Sequence, residues 1–199
     1  MTAHKTLHPI NATLERNALY DASLRLVKDG KFQAMSVTEI AYMARISEGA
    51  IPFIFESRER LVTDLIEHVT SQITKTIEDA VKKSTSYKRR FFDVWYALYE
   101  HYTKNPNVIA FIEQFDNINK NKTGSIHPAS TEALIELFKK AQIGEVIKPV
   151  NAETLAYIFH ENVVTAAKMH ASKLFVDVNF APQQLPEMLW ASISAGNNN

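Results

Sequence analysis

The chain has 199 residues, 46% of them apolar, enough for the core of one domain or two small ones. Its 22 Lys and Arg balance its 22 Asp and Glu, which argues mildly against a protein that coats nucleic acid by charge alone. With no cysteine there is no disulfide framework and no cysteine-ligated zinc, and no stretch approaches the roughly 18 uncharged apolar residues of a membrane span.

The opening MTAHKTLHPINATLERN lacks the apolar run of a signal peptide, so the expectation is a soluble, cytoplasmic protein with no membrane contact. Residues 1–9 read as a flexible arm. Residues 11–28 form a first helix, with Leu14, Ala18, Ala22 and Leu26 one turn apart. Asp29 and Gly30 stop it, Gly30 suiting a left-handed cap, and Phe32 then tucks under the bundle. SVTE opens a second helix as a capping box, Ser36 being the cap and Glu39 reaching back. Val37, Ile40, Ala41 and Ala44 supply its inner face. After a tight turn at Arg45 and Ile46, Ser47 is placed to cap a third helix, with Glu48 in its first turn. Two short helices joined by a turn, with the next helix following, make a unit whose second helix normally reads DNA.

A longer helix starts near Ser57 and runs to about Lys83, with Leu61, Leu65, Val69, Ile73 and Ile77 on one stripe. Then come the aromatic YKRRFFDVWYALYEHYTKN, which stops before Pro106, and PNVIAFIEQFDNIN. HPASTEALIELFKKAQ carries Pro128 at an early helical position, where its missing N–H costs nothing. GEVIKPV is a turn-rich connection, and NAETLAYIFHENVVTAAKMHASKL and PQQLPEMLWASIS close the chain before a frayed GNNN. No strand, repeat or other low-complexity tract is expected. The fold class is all-α: a small helix-turn-helix unit, then a larger helical body.

On these residues the chain resembles the TetR family of transcriptional regulators, best over residues 14–66. The resemblance lies in LYDASLRLVKDG, SVTEIAYMARIS and SEGAIPFIFESRERL. Ser36, Val37, Ile40, Ala41, Ala44, Ile46, Ser47, Gly49, Phe55, Ser57, Arg58, Glu59 and Leu61 stand in the family pattern. It implies an all-helical homodimer that binds a palindromic operator in double-stranded DNA. An effector in the helical body then changes the spacing of the two reading heads. The division expected is 1–55 for the arm and DNA-binding domain and 56–199 for ligand binding and dimerisation. No cofactor, no metal and no enzymatic activity are implied.

The departures from the pattern matter. Position 45 is usually glycine; a left-handed Arg45 costs roughly 1–2 kcal/mol but sits where a cation can meet phosphate. Glu48 stands where Lys or Arg is frequent, and it repels phosphate. Pro52 replaces a common Tyr; inside a long helix it costs roughly 3 kcal/mol and leaves the Glu48 carbonyl unpartnered, whereas in a helix of about seven residues it only tightens the last turn into a 3₁₀ form, and the unit keeps its buried face of Ile46, Ile51 and Phe55. Ile54 must find burial or a base methyl. Either the reading surface differs from the family norm, or the chain is a helical dimer that has lost operator binding and serves as a ligand sensor or protein-binding module.

Roles follow from position. Ser36 and Thr38 are placed to bond phosphate, as are Arg45 and Arg58. Ser47, Ala50 and Phe53 face outward to base edges, the last two suiting a thymine methyl. Trp95, Tyr96, Tyr99, His101 and Tyr102, with Phe111 and Phe115 opposite, form either bundle core or one wall of a pocket for a small apolar or aromatic effector. Leu155, Phe159, Val163, Ala166 and His170, with Leu185, Met188, Leu189 and Ile193, form a two-fold four-helix interface or plain core. His160 and His170 are ten residues apart, so they are no helical chelate pair. No phosphate-binding glycine loop, nucleophile elbow or paired-carboxylate frame is present.

Overall fold

The structure is a computed structural model that describes residues 9–28, 36–119, 128–173 and 182–196. The arm, the Asp29–Gly30 stop, Phe32 and the last three asparagines lie outside the described residues. Among them every regular element is helical: α1 (Pro9–Lys28), α2 (Val37–Ala44), a 3₁₀ turn (Glu48–Ala50), α3 (Ile51–Ile54), α4 (Arg58–Val81), α5 (Tyr87–Lys104), α6 (Pro106–Asn119), α7 (Pro128–Ile143), α8 (Ala152–Ala171) and α9 (Gln184–Ile193). None of the described helices is long and apolar enough to cross a membrane.

The spine of the body is α4, whose expected stripe Leu61, Leu65, Val69, Ile73 and Ile77 is buried. It packs against α5 and α7, while α8 packs on α5 and α7. Rings interlock at the centre: Phe91 meets Phe159 at 5.0 Å and Trp190 at 5.1 Å, and Phe138 meets Phe159 at 5.5 Å. Edge-on contacts of this kind match the positive ring edge to the negative face. The α7–α8 connection is pinned to the chain end by a single antiparallel bridge between Ile147 and Ser194, with Lys148 N–H donating to the Ile193 carbonyl at 2.8 Å.

At the other end α1 packs on α2 and α6. It begins two residues before the expected start, at Pro9. Of the expected stripe Ala22 and Leu26 are buried but Leu14 is 63% exposed; Leu19, Ser23 and Val27 complete the buried face. Gln114 of α6 donates to the Val27 carbonyl at 2.5 Å, partnering one of the last carbonyls of α1.

Three helices end on a left-handed residue other than glycine: Arg45 after α2, Glu145 after α7 and Lys173 after α8. The first two close as Schellman turns. Ile46 N–H reaches the Ala41 carbonyl and Arg45 N–H the Tyr42 carbonyl; Val146 N–H and Glu145 N–H do the same with Ala141 and Gln142.

Candidate nucleic-acid interface

The corner is built from its caps outward. Ser36 adopts extended backbone and its hydroxyl accepts from Glu39 N–H at 3.1 Å, starting α2 as the sequence implies. Ile40 and Ala41 turn inward. Thr38, Tyr42 and Arg45, spaced by four and three residues, form the outward stripe of α2; Tyr42 is 84% exposed. Arg45 is left-handed at φ 56° and ψ 38°, as the turn requires, and its side chain is exposed.

The reading segment differs from a plain helix. Ser47 takes extended backbone before it, but its hydroxyl makes no capping bond; its carbonyl accepts from Ala50 N–H at 2.8 Å instead. The first turn is 3₁₀, and α3 supplies only four residues, with Pro52 in its opening turn. Of the two outcomes expected for Pro52 the 3₁₀ form is the one seen, in the first turn rather than the last. The Glu48 carbonyl, which an α-helix would leave waiting for a nitrogen at position 52, accepts from Ile51 N–H. The tighter three-residue hydrogen bond removes the donor that proline lacks.

Burial then fixes which side chains read outward. Ile51, Ile54 and Phe55 are in the core, so Ile54 finds burial rather than a base. Phe53 is 77% exposed; Ser47, Glu48 and Pro52 are exposed and Ala50 is partly covered. Thr38 Oγ1 donates to Glu48 Oε1 at 2.6 Å, joining the start of α2 to the start of the reading turn. Thus the hydroxyl assigned to phosphate is engaged by the acid assigned to repel it. Arg58, at the start of α4, is half-buried.

The residues that hold this segment in place were missed in the sequence. Arg16 of α1 donates from Nη2 to the Ile54 carbonyl at 3.0 Å and lies over the Phe55 ring at 4.9 Å. Its Nη1 pairs with Asp64 at 2.8 Å, and Arg60 pairs with the other oxygen of Asp64 at 2.8 Å. Asp64 is only 5% exposed. One buried carboxylate therefore orients the guanidinium that satisfies the last turn of the reading helix. Arg16 and Asp64 lie 48 residues apart, so no local pattern joins them. Tyr42 was legible: it completes the stripe already marked by Thr38 and Arg45.

In the body, Trp95, Tyr102 and Phe111 are buried, Tyr99, His101 and Phe115 are half-buried, and Tyr96 is 38% exposed. Their polar tips meet α8: Trp95 Nε1–H donates to Asn162 Oδ1 at 2.8 Å, Tyr99 OH lies 2.9 Å from His170 Nδ1, and Tyr102 OH lies 2.6 Å from His160 Nε2. Burial pushes the Tyr102 phenol far up, so it stays protonated and can donate to His160. His160 Nδ1 then faces the Glu161 carboxylate at 3.6 Å, and the imidazole beside it holds Glu161 below its ordinary range. Phe111 and Phe115 stack at 6.2 Å. An open groove of about 580 Å³ lies between α4, α5 and α7, bordered by Ile77, Val81, Tyr87, Arg90, Leu137 and Lys140. None of the seven expected effector residues lines it.

The expected dimer set divides. Leu155, Phe159, Val163 and Ala166 are buried inside the single chain, as are Leu189 and Ile193, so their area is already spent on its own core. His170 and Met188 are exposed and Leu185 is half-buried. The outward apolar residues of α8 are Tyr157 and Ile158, on the side opposite Phe159 and Val163. Most of the expected seam residues thus lie on the inner faces of α8 and α9, because the most apolar stripe of a helix packs on its own chain first.

No family model matches the chain. A curated relative, an uncharacterized HTH-type transcriptional regulator of Haemophilus influenzae, is 19% identical over 179 residues, covering 88% of this chain and 93% of the relative. Among solved structures, a TetR family transcription regulator from Marinobacter aquaeolei superposes with a TM-score of 0.81 at 18% identity, covering 94% of this chain and 99% of its own. A TetR-family transcriptional regulator from Haemophilus influenzae gives 0.75 at 16% identity, covering 94% and 100%. The chain has the fold of these proteins along nearly its whole length.

Proposed function

We propose that this chain, folded as TetR-family regulators are, is a homodimeric, effector-responsive transcriptional regulator acting as a repressor. Residues 1–55 bind DNA, and 56–199 bind the effector and dimerise. The observation that carries the reading is the corner itself: a capped α2, a left-handed turn at Arg45 and a short reading helix that keeps its buried face despite Pro52. Ser36, Tyr42, Arg45 and Arg58 serve the phosphates, with Thr38 joining them through its backbone N–H since its hydroxyl is given to Glu48, and Ser47, Glu48, Ala50 and Phe53 serve the base edges. Two such heads related by a two-fold axis fit a palindromic operator.

The dimer seam is assigned to the outward residues Tyr157, Ile158, Leu185 and Met188. The effector, small and apolar or aromatic, is assigned to the cluster of Trp95, Tyr96, Tyr99, His101, Tyr102, Phe111 and Phe115. By binding better to the dimer whose heads do not fit both half-sites, it shifts the population off DNA.

A second reading, a ligand sensor or protein-binding module that has lost its operator, is favoured by one observation. The only charged residue among positions 47–54 is the acid Glu48. One titration separates the two: labelled DNA from upstream of the protein's own gene, at two salt concentrations, against scrambled DNA. Specific binding that weakens with salt supports the regulator; equal affinity for both DNAs supports the sensor.

A further inference from the structure

Glu48 is exposed, and Thr38 Oγ1 donates to its Oε1 at 2.6 Å. The bond spans the two elements of the corner, so it restrains a side chain that would otherwise lose rotamer freedom on docking. A carboxylate only accepts hydrogen bonds, and Oε2 takes no part in this one. In the major groove guanine shows two acceptors, thymine an acceptor and a methyl, adenine an acceptor beside a donor, and cytosine a donor. A fixed carboxylate is therefore repelled by guanine and thymine, opposed in part by adenine N7, and matched by cytosine N4.

Its neighbours leave it that role. Gly49 has no side chain, and Pro52 and Phe53 offer apolar surface, so beside Glu48 only the Ser47 hydroxyl among the exposed side chains of this turn can accept an amino hydrogen, and it carries no charge. We propose that Glu48 is a specificity-determining residue that selects cytosine in each half-site, with Thr38 as its positioning residue. This rests on the DNA-binding reading above. The acid that departs from the expected basic residue is then a reader of bases rather than a defect.

The test is selection of full-length protein against a randomised duplex pool, followed by competition binding with single-pair variants of the enriched site. The parent should enrich a site with a fixed C·G pair, and replacing that pair should weaken binding by roughly tenfold or more. Glu48→Gln should move the preference to adenine, whose N6 and N7 suit an amide, and Glu48→Ala should lose it at that position alone. Thr38→Val should blur the same position, and Thr38→Ser should restore it. If Glu48→Ala instead tightens binding to every sequence alike with an unchanged motif, Glu48 merely repels phosphate and the proposal falls. If the parent enriches no sequence, the DNA-binding reading falls with it.

Discussion

Asp64→Ala removes the anchor of the reading helix. The carboxylate is 5% exposed and binds two guanidinium groups, each at 2.8 Å. Breaking a fully buried pair costs about 3–5 kcal/mol, whereas an exposed pair is worth about 0–1. Arg60 is 57% exposed and regains water at little cost. Arg16 is 42% exposed and is also committed to the Ile54 carbonyl and the Phe55 ring, so it relaxes less freely. The expected loss is about 2–3 kcal/mol, which lowers the melting temperature by roughly 5–10 °C in a chain of this size. Thermal and urea unfolding at one fixed protomer concentration read it. A cycle with Arg16→Met, which keeps the stem over Phe55, should give a coupling of at least about 1 kcal/mol. A melting temperature within about 2 °C of the parent, or additive single effects, would refute the strut.

Arg45→Gly should relieve about 1–2 kcal/mol of left-handed strain, part of which returns as unfolded-chain entropy, so stability holds or rises slightly. DNA affinity should fall for all sequences together, with the salt slope smaller by about one, in a salt-titrated binding assay. Burial holds the pKa of His101 and His68 below the ordinary 6.5. The unfolded chain then binds more protons than the folded one just below that value. Stability should therefore be flat above about pH 6.5 and fall as pH drops through it, levelling only below the depressed folded values; His101→Gln should flatten the slope in urea titrations. Ile158→Glu with Met188→Glu should halve the mass seen by sedimentation while leaving the helical signal intact, and a mass unchanged from the parent would move the seam elsewhere.

The helical plan was legible because α4 and α5 repeat their apolar residues at helical spacing, and the Ser36 cap was legible because it is local. Helix ends were harder. The left-handed Arg45 was legible through the resemblance, but Glu145 and Lys173 take that conformation without a glycine to mark it, and in the α7 turn Gly144 sits one residue before it. For Pro52 both a strained α-helix and a 3₁₀ form were open; the 3₁₀ turn occurs, ahead of the proline rather than at the helix end, a choice that composition does not make. Leu155, Phe159 and Val163 of α8 lie in the chain's own core, because apolar residues at helical spacing look the same whether they meet their own chain or a copy. The Arg16–Asp64 pair was invisible because the contact exists only after the chain has folded.

The Gln114 amide gives the fold a mechanical joint. It grips the end of α1 from α6 at 2.5 Å, and a hydrogen bond of that geometry is lost once its partners separate by about 1 Å. Under the effector-responsive reading proposed above, a compound that displaces α6 would break this bond and release the end of α1, the helix that carries Arg16. α1 would then be free to shift independently of α6, and with it the guanidinium that partners the Ile54 carbonyl.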